Sequence, residues 1–96
     1  MNNTLSHHFS GINDDKYLKL KKNITEGITS IKKTTYSKEA SPQLEELMSI
    51  CDYLTVYVRN AVRMGYSNDE FNHELEDLYS LEDELQLIFY KIREID

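Results

Sequence analysis

The amino-acid sequence predicts an all-α protein, built as one antiparallel bundle of three main helices. One proline and three glycines among 96 residues are too few for the many tight turns of an all-β protein. Apolar residues recur at steps of three and four, and helix start and stop signals divide this pattern into three segments. We expect one domain at residues 13–96, preceded by an N-terminal arm at residues 1–12.

The arm, MNNTLSHHFSGI, has no apolar periodicity. We expect it to be flexible, with a short additional N-terminal helix as the alternative. His7 and His8 are neighbours that would point in different directions from a helix, so solvated side chains are expected rather than metal ligands. The arm also lacks the basic start and apolar run of a signal peptide. No stretch has the roughly 20 apolar residues that span a bilayer, so no transmembrane segment is expected.

The first helix is predicted to begin at Asn13 or Asp14, which are good capping residues. One apolar stripe then follows at helical spacing, formed by Tyr17, Leu20, Ile24, Ile28 and Ile31. Gly27 lies beside this stripe and weakens the helix by about 1 kcal/mol relative to alanine. We therefore expect Gly27 to permit close approach of a neighbouring helix.

The second helix is predicted to begin at Ser41-Pro42, with Ser41 as the cap and Pro42 in the first turn. Gly65 is expected to end it. Its apolar surface is wide enough to contact neighbours on two sides. The main stripe is Leu44, Leu47, Cys51, Leu54, Val58, Ala61 and Val62, and a second line is Ile50, Tyr53, Tyr57 and Met64.

The third helix has the strongest start signal. Ser67 and Glu70 make a capping box, and Tyr66 can pack on Phe71. The apolar stripe that follows is Phe71, Leu75, Leu78, Leu85, Ile88, Ile92 and Ile95, widened by Leu81, Leu87 and Phe89.

The start of this helix also raises the question of a metal site. Glu70 and His73 have the Glu-x-x-His spacing of iron and manganese sites in helical bundles, and Glu74 and Asp77 share their face. Such bundles use two of these pairs, whereas this chain has one, so a complete site would need a homodimer or open coordination. Glu70, His73 and Glu74 are the candidate ligands for iron(II) or manganese(II), and the favoured interpretation is no cofactor.

No catalytic constellation is visible in the sequence. Cys51 is the single cysteine and lies on an apolar stripe, which predicts core packing, and it excludes an intramolecular disulfide. Phosphate-binding loops, CxxC pairs and hydrolase elbows are absent from the sequence. We therefore expect a protein that is not an enzyme, located in the reducing cytoplasm.

Charge and tyrosine content indicate a protein that binds another protein, but each feature has an alternative interpretation. The charge also fits a solvated acidic helix beside a basic one, and the tyrosines also fit side chains that complete the bundle with their hydroxyls in water. The net charge is −6, distributed as +3 over residues 1–40, −1 over residues 41–66 and −8 over residues 67–96. An acidic chain is repelled by phosphates, so direct nucleic-acid binding is not expected, whereas a basic partner surface would suit the C-terminal third. Tyrosines at a surface are common interface anchors. The predicted partner-binding residues are Tyr53, Tyr57, Arg59, Arg63, Glu70, Glu74 and Asp77.

Three short stretches resemble a known family. SPQLEEL (41–47), AVRMG (61–65) and YSLEDEL (79–85) are similar, in order and approximate spacing, to the YlaN-like family of small helical cytoplasmic proteins from low-GC Gram-positive bacteria. The similarity covers about residues 41–90, although the family has acidic positions where this chain has Thr55, Val56 and Tyr57. The resemblance implies a regulatory protein linked to iron homeostasis that acts on a transcriptional repressor, the ferric uptake repressor.

The leading functional hypothesis is a small regulator or inhibitor that presents a helical face to a partner protein. Two alternatives remain open. One is a helical-bundle immunity protein, of the bacteriocin-immunity or antitoxin type. The other is a phage-type inhibitor whose acidic helix imitates nucleic acid, which would bind a basic protein in a salt-sensitive way.

Overall fold

A computed structural model of the chain describes residues 11–34, 36–65 and 69–94. It contains three α-helices: α1 is Asp15–Lys33, α2 is Ser41–Arg63 and α3 is Asp69–Glu94. A short 3-10 turn, Lys38–Ala40, leads directly into α2, and the described residues include no β-strand. The prediction of an all-α bundle with three main helices is confirmed.

The α1 and α2 helices pack closely in opposite directions. Near the start of α1, the Tyr17 ring lies 5.9 Å from the ring of Tyr57 near the end of α2. Farther along α1, Gly27 packs against Leu47, which lies near the start of α2. A Cβ atom added to Gly27 would lie 2.6 Å from a terminal carbon of Leu47. The predicted close approach at Gly27 is therefore confirmed, because a larger residue would force Leu47 to move.

The α1 and α3 helices run parallel. Tyr17, near the start of α1, bonds to Glu74 near the start of α3, and Lys32 near the end of α1 bonds to Glu84 farther along α3. Because α2 is antiparallel to α1, it is also antiparallel to α3. The bundle therefore has the up-down-up order that short connections between successive helices favour.

One apolar core runs between the helices. Burial of apolar surface supplies the main favourable free energy of folding in such a bundle. Its buried residues are Ile12, Tyr17, Ile24, Ile28, Ile31, Leu44, Leu47, Cys51, Leu54, Tyr57, Val58, Leu78, Leu85, Ile88 and Ile92. The stripes predicted from helical spacing supply most of this set. Of the stripe residues that the structure describes, two are instead exposed, Met64 at 69% and Leu87 at 60%.

Ile12, the last residue of the predicted N-terminal arm, packs into the core. It is 7% exposed and belongs to the buried cluster. The packed part of the chain therefore begins before Asn13. Residues 1–10, with His7, His8 and the alternative N-terminal helix, lie outside the described residues.

Two of the predicted helix ends are confirmed. Asp14 caps α1, and its carboxylate accepts a hydrogen bond from the Lys16 backbone N–H at 2.7 Å. Gly65 follows α2 with a φ of +103°, a left-handed conformation that glycine adopts without the steric cost of a Cβ atom. Tyr66 and Ser67 lie outside the described residues, so the capping box with Glu70 and the contact with Phe71 stay predictions.

The start of α2 differs from the prediction. Ser41 is not a cap, because both Ala40 and Ser41 already have right-handed helical backbone angles, whereas a cap needs an extended backbone. The capping residue lies four positions earlier: Ser37 is extended, and its hydroxyl accepts from the Glu39 N–H at 3.2 Å. Pro42 does occupy the first turn, as predicted.

None of the described helices has the combination of length and apolar composition that a membrane span requires.

Candidate protein-binding surface

The tyrosines and arginines predicted as a binding face on α2 do not share one surface. Tyr57 is 6% exposed and packs against Tyr17 in the core, and Tyr53 is half-buried. Arg59 and Arg63 are exposed, and at 100° per residue they lie roughly 80° to 160° around α2 from the two tyrosines. The Tyr57 side chain is therefore part of the core in the folded chain, and its role as a contact residue stays a prediction.

Arg59 lies against α3 rather than standing free in solvent. Its guanidinium donates a hydrogen bond to the Tyr79 hydroxyl at 3.1 Å and lies 5.9 Å from the centre of the Tyr79 ring. The hydrogen bond to Tyr79 raises the pKa of Arg59 above its usual value. The pair fixes the position of the Tyr79 ring on the surface of α3.

Two acidic residues near the start of α3, Glu74 and Asp77, contact α1. Glu74 accepts a hydrogen bond of 2.6 Å from the Tyr17 hydroxyl and forms a 2.9 Å ion pair with Lys21, and its side chain is only 13% exposed. The same lysine lies 3.5 Å from Asp77. These side chains join α1 to α3 through charge-assisted hydrogen bonds, which are stronger than neutral ones. Glu74, predicted as a partner contact, therefore has a structural role.

The Tyr17 hydroxyl needs a hydrogen-bond partner within the protein because the tyrosine is completely buried. Burial, followed by the hydrogen bond to Glu74, raises the pKa of Tyr17 well above its usual value. The phenol therefore remains a proton donor at every physiological pH. A buried hydroxyl with a carboxylate acceptor is satisfied, and this explains how tyrosine is tolerated in the core.

The candidate metal ligands differ in exposure and in contacts. Glu70 and His73 are exposed, whereas the Glu74 carboxylate contacts Tyr17 and Lys21. Across the described part of the chain, no three His, Cys, Asp or Glu side chains are grouped so that they could hold a metal ion. Binding of iron(II) or manganese(II) remains a prediction for titration to test.

Cys51 is a core residue, as its apolar stripe predicts. It is 1% exposed, and its thiol lies 3.5 Å from the Leu78 carbonyl oxygen, to which it donates. Burial, with a smaller effect of Glu82, raises the pKa of this thiol to about 11. At neutral pH the thiol is therefore protonated and shielded, whereas a reactive cysteine is an accessible thiolate.

Three large apolar or aromatic side chains are exposed together on α3. Tyr79 is 40% exposed, Leu87 60% and Tyr90 56%. At 100° per residue, the three lie within an arc of roughly 80°, opposite the buried stripe that contains Leu78 and Leu85. Solvated apolar residues that are grouped in this way are typical of interaction surfaces.

Acidic side chains lie among these three residues and at both ends of the row that they form. Glu76, Asp83 and Glu94 lie within the same arc and are exposed. None of them forms a salt bridge to another described residue, in contrast to Glu74 and Glu84. We name this surface the outer strip, formed by Glu76, Tyr79, Asp83, Leu87, Tyr90 and Glu94.

The C-terminal end of the outer strip is supported by neighbouring side chains. The Phe89 ring packs edge-on against Tyr90, with ring centres 5.8 Å apart, and the Arg93 guanidinium lies 5.4 Å from the centre of the Phe89 ring. Phe89 is itself packed against the core. Tyr90 is therefore exposed but held, which lowers the entropy lost when such a side chain binds a partner.

The outer strip was not predicted from the sequence, which had placed Leu87 on the buried stripe. The spacing of Leu87 along α3 does, however, indicate that it is exposed. Leu87 lies roughly 160° around the helix from Leu85 and roughly 140° from Ile92, both of which are buried. The side of α3 that contains Leu85 and Ile92 packs into the bundle, so Leu87, on the other side, is left in solvent.

Comparison with known proteins gives no match: no family model, curated protein or solved structure is significantly similar to the chain. The resemblance of residues 41–47, 61–65 and 79–85 to the YlaN-like family stays a prediction.

Proposed function

We propose that the chain is a small, non-enzymatic, cytoplasmic protein that binds a partner protein through a helical face and so regulates or inhibits it. The observation that carries this proposal is the outer strip, with Tyr79, Leu87 and Tyr90 exposed on one arc of α3. Removal of exposed leucine and tyrosine side chains from water lowers the free energy, so a partner that covers them is bound more tightly. A buried Cys51 with a raised pKa, and a Tyr17 committed to Glu74, support a role without catalysis.

The proposal is tested by capture of a partner from a cytosolic extract of the source organism. Wild-type protein is immobilised beside a double variant, Leu87→Ser with Tyr90→Ser, and the retained proteins are identified by mass spectrometry. A second double variant, Leu18→Ser with Met64→Ser, is the matched control, because those residues are 46% and 69% exposed and lie on α1 and just after α2.

The expected result is a partner that the wild type and the control variant retain equally. Loss of two interface anchors weakens binding by about tenfold or more, so the α3 variant should release that partner. Equal retention by all three proteins, with unchanged helical circular dichroism, would contradict a role for the outer strip.

A second candidate function is the inhibitor that imitates nucleic acid, and one observation favours it. The α3 helix has nine acidic residues against two basic ones, and Glu76, Asp83 and Glu94 form no salt bridge to any residue in the described part of the chain. Imitation of phosphates needs the carboxylates and not the apolar residues. A partner lost on neutralisation of the three acids, but retained by the Leu87→Ser and Tyr90→Ser variant, would support this second candidate.

A further inference from the structure

The outer strip has a regular arrangement along α3. Its residues follow one another at steps of three or four, from Glu76 to Glu94, so they form one ridge of the helix surface. At a rise of 1.5 Å per residue, the ridge is roughly 27 Å long. Acids stand at both ends and near the middle, and apolar side chains fill the positions between them.

We propose that the outer strip binds a basic amphipathic helix of a partner protein. This inference rests on the proposed function and specifies the partner of the same surface. Leu87 and Tyr90 supply the apolar contact, and Glu76, Asp83 and Glu94 are placed to face lysine or arginine side chains along the edge of the incoming helix. Spacings of three and four residues on both helices let the side chains of one enter the gaps of the other.

Charge decides against a second copy of this chain as the occupant. If two α3 helices met antiparallel and centred on the strip, Glu76 of each would lie beside Glu94 of the other. If they met parallel and in register, Asp83 would face Asp83. Both arrangements bring like charges together where water is being removed, which costs free energy.

Charge also decides against nucleic acid, since phosphates would meet the same row of carboxylates. A basic helix avoids both problems. It neutralises the acids that the bundle leaves without an ion pair in its described part, while Glu74, Asp77 and Glu84 already pair with lysines of α1.

The inference is tested with a synthetic helix as the probe. The peptide has about 21 residues in three heptads, with leucine at positions a and d and lysine at e and g. Its ends are blocked, and lysine repulsion keeps it from pairing with itself. A matched peptide carries glutamate in place of every lysine. Binding of each peptide to the full chain is measured by isothermal titration calorimetry, at about 50 mM and about 200 mM salt.

The first variant removes the charges of the strip: Glu76→Gln, Asp83→Asn and Glu94→Gln together. Its control removes the same number of charges from exposed positions on α2, with Glu45→Gln, Glu46→Gln and Asp52→Asn. We expect the lysine peptide to bind the wild type and the α2 control with the same affinity, within about twofold. The strip variant should bind it about fivefold to tenfold more weakly and with a smaller salt dependence.

The apolar contact is tested separately by Leu87→Ser with Tyr90→Ser, which should weaken the lysine peptide by about tenfold or more. Failure of the lysine peptide to bind, or equal binding of the glutamate peptide, would overturn the inference. Equal losses of affinity in the strip variant and the α2 control would overturn it as well. The proposed function would survive these results if capture from the extract still depends on Leu87 and Tyr90, so the two failures are distinguishable.

Discussion

Two sides of α3 have similar acidic side chains but different roles. On the side that faces α1, Glu74 and Asp77 pair with Lys21, and Glu74 also accepts a hydrogen bond from the hydroxyl of Tyr17. On the outer strip, Asp83 lies one turn before exposed Leu87 and makes no salt bridge to any other described residue. Residue type does not separate these carboxylates; the direction in which each faces from the helix does. Acidic residues that contact a neighbouring helix stabilise the bundle, and those on the opposite side are available to a partner.

The largest expected effect comes from two leucines that lie two positions apart. Leu85 is fully buried and Leu87 is 60% exposed. Leu85→Ala should lower the free energy of unfolding by about 3 kcal/mol, because it removes buried methyl groups and leaves a cavity. Leu87→Ala should change it by less than about 0.5 kcal/mol. Urea unfolding followed by circular dichroism measures both, and equal losses would mean that Leu87 is buried in solution.

A smaller effect is expected from two tyrosine hydroxyls. Tyr17→Phe removes the donor to Glu74 inside the bundle and should cost about 2 kcal/mol, as expected for a hydrogen bond to a charged group. Tyr79→Phe removes an exposed hydrogen bond from Arg59 and should leave the melting temperature unchanged. A double-mutant cycle of Tyr17→Phe with Glu74→Gln should show coupling of about 1 kcal/mol or more, and additive effects would contradict the network.

The next effect depends on pH and concerns the buried thiol. Burial raises the pKa of Cys51 from 9.0 to about 11 in the folded protein. A raised pKa means that the stabilising contribution is complete below pH 9 and is lost as pH rises toward 11. The expected loss is about 1 kcal/mol at pH 10.

Cys51→Ala is the comparison for that experiment, since alanine does not titrate. The wild type should lose stability more steeply than this variant between pH 9 and 11, as measured by chemical unfolding at each pH. Both proteins should decline further at higher pH, because Tyr17 also has a raised pKa. Parallel curves for the two proteins would show that Cys51 is not shielded.

The smallest expected effect is at the exposed pair of Lys32 and Glu84, which are 2.9 Å apart with side chains 47% and 45% exposed. The hydrogen bond and charge of Glu84 raise the pKa of Lys32, but water and salt screen an exposed pair. Lys32→Gln should leave the melting temperature unchanged within error, whereas Lys21→Gln should lower it, since Lys21 contacts the nearly buried Glu74. A larger fall in melting temperature for Lys32→Gln than for Lys21→Gln would contradict this expectation.

Helical periodicity predicts the fold well because it reports which side of each helix meets the others. The positions of the three helices follow from it, and so do the burial of Cys51 and the close contact at Gly27. Local chemistry also predicts the cap at Asp14 and the stop at Gly65. These features depend on residues near one another in the chain.

The features that the sequence did not predict depend on contacts between distant residues. The sequence around Tyr57 is that of an interface anchor, but in the structure Tyr17 packs against it. The sequence around Glu74 is that of a solvated residue, but α1 supplies Lys21 and the Tyr17 hydroxyl as its partners. The contacts of Tyr57 and Glu74 both depend on which side of α2 and α3 the α1 helix packs against. The sequence of a single helix does not give the position of its neighbour. Leu87 is the reverse case. Helical spacing predicts that it is buried, but the stripe that α3 buries is narrower than predicted, and Leu87 is exposed.

We propose that a partner contacts the outer strip of α3 rather than the face that carries Glu70 and His73. Photo-crosslinking tests it most directly, with benzoylphenylalanine introduced at exposed His73 in one protein and at exposed Leu87 in another. We predict that the partner retained from the extract is crosslinked from position 87 and not from position 73. Crosslinks from position 73 with none from position 87 would contradict the claim.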